Sequence, residues 1–85
     1  MKEFVYTIVD PIGMHARPAG MLVKLTKDMD STVTVKKGDK SSVTTRLMAL
    51  MALGVKTGDH VTVTIEGGNE EENTAKVQAF FHNNL

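Results

Sequence analysis

The segment HVTVTIE, residues 60–66, is the clearest strand in the sequence. Val61, Val63 and Ile65 alternate with threonines and a glutamate, so the β-branched residues share one face. The sequence GGN that follows, residues 67–69, breaks the strand. We therefore expect a sheet with one face buried in the core and the other face, rich in Thr and Lys, in water.

A helix is expected after this strand. Residues 70–72 are three glutamates, which favour the positive end of a helix dipole and therefore open the helix. The residues expected to face the core are Ala75, Ala79 and Phe80, with Val77 and Phe81 beside them.

Three further stretches of the chain have strand patterns. Residues 4–9 and 32–36 alternate with period two, and turn chemistry at residues 10–13 ends the first of them. The pair Gly38-Asp39 predicts a two-residue hairpin turn, after which residues 40–43 return as a short strand.

Two helices precede the last strand. Residues 16–27 are expected to form the first. Residues 46–53 are expected to form the second, with Gly54 just past its end and Thr44 or Thr45 capping its start. The resulting order, βαββαβα, predicts an α+β fold in two layers, in which three helices cover one face of a mostly antiparallel sheet.

The composition limits the class of protein. The 85 residues fit one domain, 1–85, and ten basic residues balance ten acidic ones, which argues against a nucleic-acid partner. The absence of cysteine excludes disulfides and thiolate metal sites. The longest apolar run, residues 47–53, is far shorter than a membrane span, and no signal-peptide pattern opens the chain. We therefore expect a cytoplasmic protein with no membrane insertion.

The segment GMHARPA, residues 13–19, carries the chemistry. Imidazole is a good nucleophile near neutral pH, which makes His15 a candidate acceptor of a phosphoryl group. The first N–H groups of the helix, on Ala16 and Arg17, lack intrahelical partners and can bind phosphoryl oxygens. The Arg17 guanidinium can add a charge-assisted contact, and Pro18 is tolerated in the first turn. From spacing alone, an exposed histidine without a role remains an equal alternative.

The other two histidines do not extend this site. His60 is interpreted as a residue that starts a strand, and His82 as a cation near a helix C-terminus. The three histidines are far apart in sequence and form no metal-binding motif, so we expect no metal site.

Residues 13–19 resemble the active-site signature of the HPr family, the histidine-containing phosphocarriers of the bacterial sugar phosphotransferase system. Residues 47–54 look like the second helix of that family, and residues 58–67 look like its fourth strand. The resemblance extends over essentially all 85 residues. It implies an open-faced β-sandwich of four antiparallel strands and three helices.

The resemblance also implies a function. Enzyme I, itself phosphorylated from phosphoenolpyruvate, would pass a phosphoryl group to Nδ1 of His15, and His15 would pass it to the A domain of a sugar-specific enzyme II (enzyme IIA). Arg17 would stabilise the phosphoryl group. Such a protein is a carrier rather than an enzyme, requires no cofactor and is expected to be a monomer.

A docking surface is expected beside the site. Met adapts to varied partners, and an exposed apolar stripe on a short helix often marks an interface. Leu50 and Leu53 are assigned to the core instead; the alternative is that every apolar residue of this helix is core. The residues assigned to docking are Gly20, Lys24, Lys27, Leu47, Met48 and Met51.

One residue departs from the family pattern. In many Gram-positive members, a serine opens the second helix and is phosphorylated by a dedicated kinase, whereas this chain has Arg46 there. A guanidinium cannot replace that serine, so regulation through it is not expected. Thr44 and Thr45 lie beside the position, and the sequence leaves open whether either one replaces the serine.

Two other functions compete with the phosphocarrier. A regulatory binding module of the same fold would act through protein contacts alone, but it would not need both His15 and Arg17. A small nucleic-acid-binding domain is disfavoured by the zero net charge and by the scarcity of aromatic residues.

Overall fold

The elements of the computed structural model follow the predicted order βαββαβα. They are β1 (Lys2–Thr7), α1 (Ala16–Thr26), β2 (Thr32–Lys37), β3 (Lys40–Val43), α2 (Leu47–Ala52), β4 (His60–Glu66) and α3 (Glu70–Asn84). The four strands form one sheet in the order β1-β4-β2-β3, and every neighbouring pair is antiparallel. The predicted α+β fold, an open antiparallel sheet with three helices, is therefore confirmed.

Strand β4 lies inside the sheet, between β1 and β2. Val63 lies opposite Phe4 of β1 and opposite Val35 of β2. Val61, Val63 and Ile65 are fully buried, while the threonines between them are partly exposed on the open face of the sheet. The period of two in the sequence thus separates the two faces of the sheet.

The buried face of helix α3 agrees with the prediction at Phe80, which is buried, but not at the two alanines. Ala75 and Ala79 are exposed, whereas Val77 and Phe81 are completely buried. The Phe81 ring meets the ring of Phe4 at a centroid distance of 5.8 Å, in an edge-to-face arrangement. An aromatic side chain buries far more apolar area than an alanine, so the aromatic face of the helix turns toward the sheet.

The start of helix α2 also differs from the prediction. Its N-cap is Arg46, which makes no side-chain capping bond. Thr44 is instead buried, and its hydroxyl donates a hydrogen bond of 2.7 Å to Oγ1 of Thr26. The Thr44 amide also donates to the carbonyl of Val33, at 2.9 Å. Neither Thr44 nor Thr45 caps the helix, because the N-cap position falls on Arg46 and the Thr44 hydroxyl and amide are bonded to α1 and to β2.

Candidate functional site

The segment that carries His15 leaves the sheet where β1 ends. The strand stops at Thr7, two residues earlier than the alternation predicts. Beyond it, the amide of Ile8 donates to the carbonyl of Asp59 at 2.9 Å, and the amide of Val9 donates to the carbonyl of Leu85 at 2.7 Å. Ile8 thus still lies beside the residue that precedes β4, whereas Val9 and Asp10 bond to the carbonyl of Leu85 instead.

An aspartate turn shapes the next four residues. Oδ2 of Asp10 accepts hydrogen bonds from the amides of Ile12 and Gly13, both at 3.0 Å. A carboxylate that bonds amides two and three residues ahead stabilises a tight turn. The side chain of Asp10 therefore determines the path of the backbone toward His15.

The turn rests on the loop that joins α2 to β4. The amide of Met14 donates to the carbonyl of Val55 at 3.0 Å. Gly13 has a φ of +84°, and a Cβ built there would lie 2.5 Å from the Val55 carbonyl oxygen. Only glycine combines this backbone conformation with so close an approach.

The supporting loop is itself held by a lysine from β2. Nζ of Lys37 donates to the carbonyl of Gly54 at 2.7 Å and lies 2.8 Å from Oδ2 of Asp59. Asp59 also accepts the amide of Lys56 at 2.8 Å. The hydrogen bond from Lys37, followed by the bond from the Lys56 amide, lowers the pKa of Asp59 below its ordinary value.

His15 is the N-cap residue of α1, as the sequence predicts. Its backbone is extended, with φ −100° and ψ −174°, and its side chain makes no capping bond and is 37% exposed. Its carbonyl accepts the amide of Ala19 at 3.0 Å, which begins the helix. The amides of Ala16 and Arg17 belong to the first turn and have no backbone acceptor there.

The structure brings His15 and Arg17 together in one cleft of about 440 Å³. Arg17 forms no ion pair. The other side chains that line the cleft are Asp10, Ile12, Pro18, Met21, Asn83 and Asn84. An open cleft with a histidine, a free arginine and two unpaired helix amides can hold a tetrahedral anion against the imidazole.

Four of these residues were not singled out from the sequence. Asp10 and Ile12 belong to a segment that was interpreted only as a turn, although an aspartate two to three residues before a glycine is a signal for side-chain bonding to the backbone. Asn83 and Asn84 come from the end of α3, and no local pattern links them to His15.

The positions assigned to docking fall on two helices that pack against each other. Arg17, Gly20, Lys24 and Lys27 are spaced by three or four residues along α1 and therefore share one face. The three charged residues of this set are exposed and Gly20 is half-buried. The positive charges thus form a row that begins beside His15.

The apolar stripe on α2 is smaller than predicted. Leu47 is 38% exposed and Met48 is 77% exposed, whereas Met51 is half-buried and packs against the core. Met51 therefore offers less free surface than the sequence pattern suggests, because part of its side chain packs against the core. Leu50 and Leu53 are buried as predicted.

Two other exposed apolar residues line the same cleft as His15. Ile12, 67% exposed, and Met21, 43% exposed, both line the His15 cleft. Leu47 and Met48 do not line it. The apolar surface around the site therefore includes the turn before His15 as well as helix α2.

The remaining histidines lie elsewhere. Nδ1 of His60 is 2.7 Å from Oγ1 of Thr7, and His82 is exposed on α3. No three side chains of the His, Cys, Asp and Glu types are grouped as metal ligands would be. None of the helices has both the length and the apolar character that crossing a membrane requires.

A half-exposed histidine at a helix start, beside free amides and an unpaired arginine, is the arrangement that a histidine phosphocarrier requires. The family model described as "PTS HPr component phosphorylation site" matches residues 2–83. The chain therefore belongs to the HPr family, the phosphocarriers of the phosphotransferase system, which are carrier proteins and not enzymes.

Known members of the family support this assignment. The chain is 33% identical to the phosphocarrier protein HPr of Mycoplasma genitalium over 86 residues, which cover 99% of this chain and 97% of that protein. The crystal structure of HPr-C-His from Thermoanaerobacter tengcongensis superposes with a TM-score of 0.89 at 33% identity, covering 96% of this chain and 92% of that one. The crystal structure of an HPr dimer from the same organism superposes with a TM-score of 0.75 at 32% identity, covering 98% and 95%.

Proposed function

We propose that this chain accepts a phosphoryl group on Nδ1 of His15 from phosphorylated Enzyme I and donates it to an enzyme IIA domain during sugar uptake. The observation that carries the proposal is the position of His15 at the N-cap of α1. There its ring is partly exposed, and the amides of Ala16 and Arg17 are free to bind an anion.

The chemistry follows from that position. The lone pair on Nδ1 attacks phosphorus, and a P–N bond forms as the bond between phosphorus and the donor breaks, with its electron pair leaving on the donor. The three equatorial oxygens carry the negative charge of the transition state. The Ala16 and Arg17 amides and the Arg17 guanidinium are in place to balance that charge, and the transfer to the acceptor reverses the same steps.

Docking would use the exposed residues around this cleft. Leu47 and Met48 offer apolar area on α2, and Ile12 and Met21 offer it next to His15. The predicted docking positions Gly20, Lys24 and Lys27 lie on the face of α1 that continues from Arg17. Positive charge at the rim of an interface speeds association with an acidic partner.

We further propose that residues 1–85 act as one cytoplasmic, monomeric domain. Sixteen buried apolar residues form a single core cluster, which supports one cooperative unit. Because a dimer is known for a related HPr, the oligomeric state needs direct measurement. Sedimentation over a range of roughly a hundredfold in concentration should give the monomer mass throughout.

Serine-type regulation is proposed to be absent. Arg46 occupies the N-cap of α2, and Thr44 is completely buried with its hydroxyl bonded to Thr26. Only Thr45, which is exposed, could substitute. Incubation with the serine kinase of a Gram-positive organism and ATP, followed by peptide mapping, should give no label; stoichiometric label on Thr45 would refute this proposal.

The relay itself is tested in two stages. The protein is first incubated with Enzyme I and phosphoenolpyruvate and separated from both, and an enzyme IIA domain is then added. The proposal predicts that the label moves to the IIA domain and leaves His15. Label that stays on this chain with every IIA domain tried would contradict a carrier role and favour a regulatory module.

A further inference from the structure

Asp10 is the only acidic side chain in the cleft that holds His15. Its Oδ2 accepts the amides of Ile12 and Gly13 and also lies 4.0 Å from Nε2 of His15. One carboxylate oxygen therefore contacts the backbone that leads to the histidine and faces the imidazole ring.

We propose that Asp10 is a positioning residue for phosphoryl transfer, which holds the proton of the neutral His15 imidazole on Nε2 and leaves the lone pair on Nδ1. This inference rests on the proposed function, because it specifies which ring nitrogen is ready to attack phosphorus.

Electrostatics favour this tautomer of His15. A neutral imidazole carries one N–H and one lone pair, and the partner of one nitrogen decides which nitrogen keeps the proton. A carboxylate oxygen near Nε2 favours a proton there over a lone pair. The amides of Ile12 and Gly13 hold Oδ2 in place, and the ring turns Nε2 toward that oxygen.

The separation of 4.0 Å between Nε2 and Oδ2 exceeds a direct hydrogen bond, so Asp10 acts on the ring through its charge. Arg17 forms no ion pair with Asp10, although both line the cleft. The carboxylate thus remains available to the ring, and the guanidinium remains available to the phosphoryl oxygens.

The same charge assists the transfer step. When Nδ1 forms its bond to phosphorus while Nε2 keeps its proton, the ring becomes positively charged, and the Asp10 carboxylate offsets that charge. When the P–N bond breaks in the onward transfer, the electron pair returns to Nδ1 and the ring becomes neutral again. Asp10 gains and loses no proton in either direction.

The test variant is Asp10→Asn, because its side-chain oxygen can still accept the amides of Ile12 and Gly13 while the charge is removed. The matched control is Asp28→Asn, which changes the net charge equally at an exposed position where the side chain makes no hydrogen bond or ion pair. Asp10→Ser, whose hydroxyl also accepts amides two residues ahead, repeats the test if the asparagine variant is less stable.

Two measurements are made on each variant. Long-range proton–nitrogen NMR of the imidazole nitrogens should show the proton on Nε2 of His15 in the wild type and in Asp28→Asn, but distributed over both nitrogens in Asp10→Asn. The rate of phosphorylation by Enzyme I should fall about three- to tenfold in Asp10→Asn, as loss of one nearby charge predicts. The melting temperature should stay near that of the control.

An unchanged tautomer and an unchanged rate in Asp10→Asn would overturn the inference. Equal losses of rate and melting temperature would also overturn it, since they would show that Asp10 only shapes the turn. If the wild type is not phosphorylated at all, the proposed function fails, whereas the NMR spectrum still tests the relation between Asp10 and His15 separately.

Discussion

Gly13 lies directly against Val55: a Cβ at residue 13 would be 2.5 Å from the Val55 carbonyl oxygen and 2.7 Å from Cα of Lys56. Both obstacles are backbone atoms, which cannot move aside as a flexible side chain can. The loop before β4 therefore determines the position of the turn that carries His15. The Met14 amide donates to the same carbonyl and holds the turn in that position.

The first prediction concerns this contact. Gly13→Ala should lower the free energy of unfolding by about 1–3 kcal/mol or more, because it combines a strained φ with a backbone clash. It should also slow phosphorylation of His15, since the turn must shift. Urea denaturation and the transfer rate measure the two effects.

The control for that variant is Gly20→Ala. Gly20 lies inside α1, and a Cβ there would have no neighbour within 4 Å. Alanine is the better helix former, so this variant should gain about 0.5–1 kcal/mol of stability. If the two substitutions changed the free energy of unfolding and the transfer rate equally, the contact between Gly13 and Val55 would be unimportant.

The second prediction separates catalysis from folding at Arg17. Its side chain is exposed and forms no ion pair, so Arg17→Ala should leave the melting temperature within a few degrees of the wild type. The transfer rate should fall on the order of a hundredfold, as when one charge-stabilising group is removed from a transition state. Rapid-quench measurement with Enzyme I checks the rate; a parallel loss of stability and rate would assign Arg17 a structural role.

The third prediction tests the docking surface on α2. Met48 is 77% exposed, so Met48→Asp should preserve the fold while weakening the affinity for Enzyme I, as measured by titration calorimetry. Leu50→Ala is the contrasting variant, because Leu50 is completely buried and its truncation should cost about 2–5 kcal/mol. Unfolding of Met48→Asp would place that residue in the core instead.

The fourth prediction concerns acid stability at the loop beneath the site. The hydrogen bonds from Lys37 and from the Lys56 amide lower the pKa of Asp59 in the folded protein. A lowered pKa stabilises the fold at pH values above the ordinary carboxyl pKa of about 3.9, and that stabilisation is lost as the pH falls through the lowered value. Asp59→Asn should therefore be less stable than the wild type at neutral pH.

The difference in the free energy of unfolding between the wild type and Asp59→Asn should shrink as the pH falls below about 3.9. The wild-type carboxyl then becomes protonated and loses its charge. Denaturation curves at neutral and strongly acidic pH measure it. A difference that is constant over this range would show that the charge of Asp59 does not contribute.

Those parts of the fold that depend on local patterns were predictable. The strand at residues 60–66 and the turn at Gly38-Asp39 each depend on residues that are adjacent in the sequence. The buried face of α3 was not, because Phe81 faces the sheet only when Phe4 and Tyr6 lie opposite it. Similarly, Thr44 was available as a cap until the fold placed it beside Thr26.

The candidate site also has a part that local sequence predicts and a part that depends on the packing of distant segments. The closeness of His15 and Arg17 was predictable because they are neighbours in one segment, at the N-cap and in the first turn of one helix. Asn83 could not be assigned, since it reaches the cleft only through the packing of α3. Asp10 carried a local signal for a turn, but its distance from the imidazole depends on how that turn folds back.

The most direct test of the account is the intact mass of the protein after incubation with Enzyme I and phosphoenolpyruvate. The wild type should gain the mass of one phosphoryl group, which is lost in acid and retained in base, and His15→Ala should gain none. His15→Ala labelled to the same extent as the wild type would contradict the assignment of His15 as the phosphoryl carrier.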